Sequence, residues 1–268
     1  MPAPEPRRST AVEVFASAAL AGVAHGFLGR RGGVSQGALA GLNCGPGSIG
    51  PDGDSAAAVA ENRRRAVAAV LPGARLVTVW QVHSPDCIAV STPWEESDRP
   101  HADALVCATP GLLLGILTAD CAPVLLADAQ AGVVGAAHAG WKGARAGVIE
   151  NTVAAMVAHG ARRGAIAAAI GPTIAQPSYE VDAALRDRFA ADDGAFFRPG
   201  RPGHWQFDLP GYVAARLAAA RVETIDRLAL DTYAAPERFF SFRRATHRGE
   251  PAYGRQLALI GLPQPGRR

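Results

Sequence analysis

Between residues 75 and 139 the chain passes through six short apolar runs with no helical stretch among them. They read "RLVTVWQV" (75–82), "CIAV" (87–90), "ADALVCA" (102–108), "LLLGILTA" (112–119), "PVLLAD" (123–128) and "GVVGAAHA" (132–139). Each is bounded by Pro, Gly or Asp, as strands are. Parallel neighbours need long crossovers, so strands this closely spaced must pair largely antiparallel or in mixed order. A helix is predicted over 56–70, opened by Asp54 or Ser55 as cap, and a second, amphipathic one over 141–161, with Val148, Thr152, Ala155 and Met156 on one side. Further helices are expected near 180–191 and 208–220, and strands over 165–171, 227–233 and 255–261. A first strand and a short helix should occupy 10–24, after a disordered tail at 1–9. With no internal repeat and no low-complexity break, the expectation is a single α+β domain over 10–268.

Composition narrows the function classes. A chain of 268 residues that is 49% hydrophobic can bury a large core. A formal charge of +3 is too small to argue for nucleic acid, and the "RRR" at 63–65 falls in a helical pattern whose default is a solvated face. No apolar stretch is long enough to span a bilayer. Arg7 and Arg8 precede an apolar run, but Glu13 interrupts it and the segment leads into "AHGFLGRRGGVS", which reads as structured protein rather than an export signal. Four cysteines in a chain this long suggest reduced thiols and a cytoplasmic location rather than a disulfide scaffold. The Gly-rich segment 29–55 is long for a loop, so it should be functional or disordered, and its glycines match neither a Rossmann fingerprint nor a P-loop.

Three residues stand out chemically. Cys121 in "LTADCAPVLL", His138 in "VVGAAHAGWKG" and His83 in "VTVWQVHSP" each end or interrupt an apolar run. Strand ends aim side chains into shared pockets, and one thiol with two imidazoles makes a three-ligand set for zinc with the fourth position open. That is the pattern of a catalytic rather than a structural site. Two other readings stay open on the residues alone. Cys121 can be a buried small hydrophobe with two ordinary half-buried histidines, or a nucleophile activated by one of them.

The strings "HGFLGRRGGVS", "LNCG", "ENRRR", "QVHS", "ADALV", "TADCAPVLL", "AAHAGWKG", "IGPTI…SYEV" and "FFSFRR…GRQLALI" occur here in order. In them the chain resembles the YfiH-type laccase-domain family, also called multicopper polyphenol oxidoreductases or purine nucleoside phosphorylases, over about 23–261. The resemblance implies a four-layer α/β/β/α sandwich with mixed sheets, similar to the catalytic domain of cytotoxic necrotizing factor. It puts the metal ligands on His83, Cys121 and His138, with zinc as the ion and copper as a substitute. It implies phosphorolysis of adenosine, inosine and methylthioadenosine, together with adenosine deamination. Phenol oxidation and hydrolysis of wrongly built peptidoglycan precursors are the alternatives. Seven histidines and four cysteines do not readily build a blue-copper centre plus a trinuclear cluster, which favours zinc chemistry over laccase chemistry.

Within that frame Asp120, beside Cys121, is either the proton shuttle or a turn cap and partner of a ligand imidazole. Arg244 is expected to bind phosphate or ribose through its guanidinium fork, with Arg63, Asn43 and Lys142 as weaker substrate contacts. Gln81 and Trp141 are expected to pack or to support the ligands. Many relatives carry a cysteine pair near the stretch here reading "DTYAAPERFF", and this chain has neither, which argues against a second metal or redox centre there. The partners implied are purine nucleosides and phosphate, with no nucleic acid and no membrane. The residues leave monomer and dimer equally open.

Overall fold

A computed structural model describes residues 11–46 and 53–264, so the tail at 1–9 lies outside the described residues. The α+β class is as expected. Six strands form one mixed sheet in the order β13 (Thr224–Arg227), β9 (Ala167–Ile170), β7 (Ala122–Asp128), β8 (Val133–Ala139), β5 (Ala104–Cys107) and β4 (Cys87–Val90). Five form a second, in the order β1 (Val14–Phe15), β2 (Ala24–Leu28), β14 (Gln256–Gly261), β6 (Leu112–Thr118) and β3 (Arg75–Thr78). A small antiparallel sheet joins β10 (Glu180–Asp182), β12 (His204–Phe207) and β11 (Phe197–Pro199). The helices are α1 (Ala56–Val70), α2 (Trp141–Ala146), α3 (Val148–Ala158), α4 (Ala183–Arg186), α5 (Leu209–Ala219) and α6 (Phe242–Arg248).

The near-continuous apolar runs follow from burial of both sheet faces. Along β7, Val124 and Leu126 join a cluster with Val148, Val153 and Met156 of α3 and with Tyr212 and Leu217 of α5. The alternate residues Leu125 and Ala127 turn the other way, onto Leu114 and Ile116 of β6 and Ala258 and Ile260 of β14. Leu113 and Leu117 of β6 face outward again, onto Ala66, Val67 and Val70 of α1. A strand with period-two geometry must be apolar at every position when each face meets a packed layer. Each such buried side chain contributes about 1.5–3 kcal/mol relative to exposure.

Several elements differ from the sequence reading, each for a local reason. The helix expected over 141–161 is two helices, because Gly147 takes φ 104°, closing α2 with an N–H bond to the Gly143 carbonyl and serving as N-cap of α3. The strand expected over 75–82 ends at Thr78, and Trp80 makes only a single bridge to His101. The segment near 180–191 starts as β10 and holds only the short α4, while β11 and β12 were not foreseen. The strand expected over 227–233 forms earlier, over Thr224–Arg227, and Ala229 then takes φ 53°. Ser55, not Asp54, caps α1 by accepting from the Ala58 N–H at 3.0 Å. The described part of the Gly-rich segment is ordered by Asn62 of α1. Its amide oxygen accepts from the Val34 N–H, and its nitrogen donates to Ser35 Oγ and to the Gly41 and Asn43 carbonyls.

Candidate metal centre and substrate cavity

His138 lies near the end of β8 and pairs in register with Pro123 of β7, so Cys121, just before β7, falls opposite the end of β8. His83 arrives from the connection between β3 and β4 with its backbone at φ 62°. That left-handed geometry is uncommon outside Gly, though His, with Asn and Asp, adopts it more readily than most, and here the imidazole lies against Cys121 and His138. The three donor atoms lie within 4.8 Å of one another, and no other group of three or more His, Cys, Asp or Glu among the described residues could hold a metal. Cys121 Sγ and His83 Nε2 are 3.8 Å apart. Donors bound tetrahedrally at zinc–sulfur and zinc–nitrogen lengths sit about 3.6 Å apart. The Cys121–His83 pair matches that spacing, and closing the 4.8 Å spread of the three donors by about 1 Å would let the set hold a zinc-sized ion.

Asp103, fully buried at the head of β5, organises this centre, and the sequence reading missed it. Its Oδ1 lies 2.7 Å from His138 Nδ1, which leaves Nε2 for the metal side. Its Oδ2 accepts the Val82 N–H at 3.0 Å and the Ser84 N–H at 2.6 Å, the two amides flanking His83. Its carbonyl accepts the His138 N–H at 2.7 Å. One residue thus fixes the ring of one ligand and the backbone of another. Burial alone would raise Asp103, but His138 and the two backbone amides outweigh it and hold the carboxyl below its ordinary value.

The charges are mutually reinforcing. Burial would push the Cys121 thiol up, yet the His138 and His83 imidazoles bring it down to about 6. Burial would lower His138, yet the Cys121 sulfur and Asp103 hold it up at about 9. Burial drives Cys44 and Cys87 up to about 12. In metal-free protein near neutral pH, iodoacetamide is therefore expected to label Cys121 first, leaving Cys44 and Cys87 unreacted until the chain unfolds. Peptide mapping of the labelled sites checks this, and prompt labelling of Cys44 in folded protein would contradict it.

Gly140 has a steric role. A Cβ there would stand 2.8 Å from Cys121 Sγ and 2.9 Å from His83 Cδ2, with Gly143 similarly close to the Ser84 carbonyl. The glycines of "HAGWKG" let α2 lie directly against the ligands. Gly140→Ala should displace His83 or Cys121 and weaken metal binding by about 10–100-fold, the range typical of disturbed supporting groups. Competition against a chromophoric chelator measures it, and an unchanged affinity would show that the close approach does not set ligand placement.

The centre opens into a cavity of about 440 Å³, whose wall includes Trp80, Gln81, Arg99, Thr118, Phe242 and Arg255 beside the three ligands. Gln81 is spent on the backbone, its amide pairing with both the N–H and the carbonyl of Leu117. Arg255 is fixed by its own N–H bond to Asn43 Oδ1 at 2.9 Å and rests one guanidinium nitrogen 3.0 Å from the Tyr253 hydroxyl. Arg99 shares Glu96 with Arg63, at 3.2 and 2.9 Å, so one carboxylate faces two guanidinium groups.

None of the expected substrate residues lines the cavity. Arg244 is buried, donating to the Thr232, Tyr233 and Phe239 carbonyls, which uses the fork expected for phosphate. Asp120 takes φ 90° and accepts from the Thr232 and Ser241 hydroxyls and the Arg243 N–H. It ties the turn before Cys121 to the start of α6, and burial raises its carboxyl above the ordinary value despite those bonds. Asn43 is fully buried and donates to Asp54. Arg63 is held by the Cys44 carbonyl and Glu96. Lys142 is exposed, near the Trp141 ring, and Trp141 itself packs on the core beside α3 and α5, as expected of a packing residue. Arg255 could have been found from the "GRQLALI" string, whereas Arg99 carries no signal beyond its charge.

Comparison with known proteins agrees with this architecture. Residues 24–263 match the family model described as multi-copper polyphenol oxidoreductase laccase. A protein of Deinococcus radiodurans named purine nucleoside phosphorylase is 41% identical over 245 residues, covering 90% of each chain. One of Streptomyces griseus with the same name is 44% identical over 217 residues, covering 77% of this chain and 83% of its own. Among solved structures, a Neisseria meningitidis protein of the DUF152 family superposes with a TM-score of 0.82 at 31% identity, covering 94% of this chain and 99% of its own. YlmD of Geobacillus stearothermophilus superposes at 0.81 with 30% identity, covering 97% and 98%.

Proposed function

Since the chain belongs to the multi-copper polyphenol oxidoreductase laccase family, we propose the activity its cavity best supports, phosphorolysis of purine nucleosides at one bound zinc. The observation that carries this reading is a single cavity lined by a three-donor metal set and by Arg99 and Arg255. His83, Cys121 and His138 would hold the ion, which when bound supplies a Lewis acid with one open position. Phosphate is the anion that the two arginines are suited to hold. The reaction forms a bond from phosphate oxygen to C1′ of the ribose and breaks the bond from C1′ to the purine, whose nitrogen keeps the electron pair. Holding the anion in line supplies the orientation on which such a displacement depends. Anion binding falls here to Arg255 and Arg99 rather than to Arg244, and Asp120 shapes the Cys121 turn rather than moving protons.

Adenosine, inosine and methylthioadenosine are the proposed substrates, with adenosine deamination as a further reaction of the same centre. A multicopper oxidase would need several copper sites, and the described residues offer one group of donors. Among the described residues no helix is long and apolar enough to cross a membrane. All four cysteines are free, which supports the cytoplasm as the place of action.

Arg255→Ala tests the anion assignment. Losing a charged hydrogen-bonding group is expected to raise the phosphate KM about ten- to a hundredfold, with zinc content unchanged. A wild-type phosphate response in that variant would remove Arg255 from the anion site. Release of no adenine by the wild type at any phosphate concentration would overturn the phosphorylase reading itself.

A further inference from the structure

The two most exposed large hydrophobic side chains among the described residues stand on the same cavity wall. Trp80 is 52% exposed and Phe242 49% exposed. Exposed hydrophobic side chains scattered singly are ordinary, but two aromatic rings gathered on one concave wall match the apolar, aromatic lining of ligand pockets. Neither ring is loosely held. The Trp80 N–H donates to the Pro100 carbonyl at 2.9 Å, and its own carbonyl accepts from Ala102 at 3.2 Å. The Arg99 guanidinium lies 5.2 Å from the Trp80 ring centroid, and His101 packs at 6.1 Å. Phe242 opens α6, between Ser241 and Arg243, which both donate to the Asp120 carboxylate. Its ring meets Tyr253 edge-on at 5.0 Å.

Both rings are therefore mounted on backbone that hydrogen bonds fix, supported on one side and open on another. The polar inventory of the wall points the same way. The described lining contains no carboxylate, and its one amide, on Gln81, is used by Leu117. A planar group entering this cavity finds ring surface in plenty and few groups to read its edge.

We propose that Trp80 and Phe242 form the base subsite, taking the purine ring of the substrate by stacking. This rests on the nucleoside reading above. It separates two tasks within the cavity, with the rings holding the base and the arginines holding the anion.

Trp80→Ala and Phe242→Ala, made in the full chain and loaded with zinc, test it, with the conservative Trp80→Phe and Phe242→Tyr beside them. Each alanine variant should raise the adenosine KM about five- to a hundredfold, the range that base–aromatic stacking produces. The zinc content should stay at the wild-type value, and the phosphate KM should shift less than the adenosine KM, since Trp80 supports Arg99 and Phe242 packs on Tyr253 beside Arg255. The conservative variants should recover most of the loss. Calorimetric titration with adenine alone should show the same loss of affinity without any turnover. An unchanged adenosine KM and adenine affinity in both alanine variants would overturn the subsite, as would an equal shift in the phosphate KM. If the wild type proves not to be a phosphorylase, adenine titration still decides. Binding that depends on both rings sustains the subsite, and no binding by the wild type ends it.

Discussion

Cys121→Ala protein is expected to purify without stoichiometric zinc and to release no adenine from adenosine at any phosphate concentration. The thiolate is the one anionic donor of the three, and its removal leaves two imidazoles, one of them anchored to Asp103. The affinity of a zinc site depends on all its ligands, so losing one of three protein donors at an already open site should cost the ion. The fold should survive, because Cys121 lies just before β7, beside a cavity rather than within a packed layer. Circular dichroism and thermal melting of the metal-free forms should therefore be close to wild type. A variant that kept one zinc per chain would mean that Cys121 is not a ligand. A variant that lost zinc but kept full activity would mean that the metal is not needed for the reaction.

Asp103→Asn should have the second largest effect, and on two readouts at once. The carboxylate accepts from the Val82 and Ser84 amides and lies 2.7 Å from His138 Nδ1. An amide of the same size has one acceptor oxygen, so its nitrogen must face a donor on one side or the other. Leaving a buried, hydrogen-bonded charged pair half-made costs about 3–5 kcal/mol of stability. Zinc affinity should fall about 10–100-fold through the lost orientation of His138 and of the His83 turn. Denaturant unfolding of metal-free protein and chelator competition measure the two separately. NMR of the His138 ring should show the proton leaving Nδ1 in the variant. Wild-type zinc affinity with the tautomer unchanged would reduce Asp103 to a packing residue.

How far the centre could be read from sequence differs between its parts. His83, Cys121 and His138 stand out as candidates because each ends or interrupts an apolar run, but the residues alone leave a buried thiol and a nucleophile open, and it is the family resemblance that puts them together as metal ligands. Asp103 was hidden inside "ADALVCA", where the eye follows the apolar residues. Its one signal is a charge at the head of a strand buried at every position, which must find partners. Arg244 comes with the resemblance through "FFSFRR", yet neither arginine of that doublet lines the cavity: Arg244 donates to three backbone carbonyls and Arg243 to that of Glu180, packing that no local pattern states. Trp80 read as strand interior in "RLVTVWQV". The strand ends at Thr78, so the ring reaches the cavity instead of a core.

The fold shows the same division. The six apolar runs were all found as strands or near them, because burial on both faces writes a strong signal. The segment near 180–191 differs because Leu185 and Phe189, both packed against the core, stand four residues apart as on a helix face, while the chain just before them is extended as β10. The break at Gly147 was hidden because an isolated glycine inside a helical pattern is usually tolerated.

The most direct test is to incubate purified protein of known metal content with adenosine, with and without phosphate, and identify the products. The account predicts about one zinc per chain, and adenine with ribose 1-phosphate formed only when phosphate is present. Three or more coppers per chain, or a zinc-loaded protein that releases no adenine at any phosphate concentration, would contradict it.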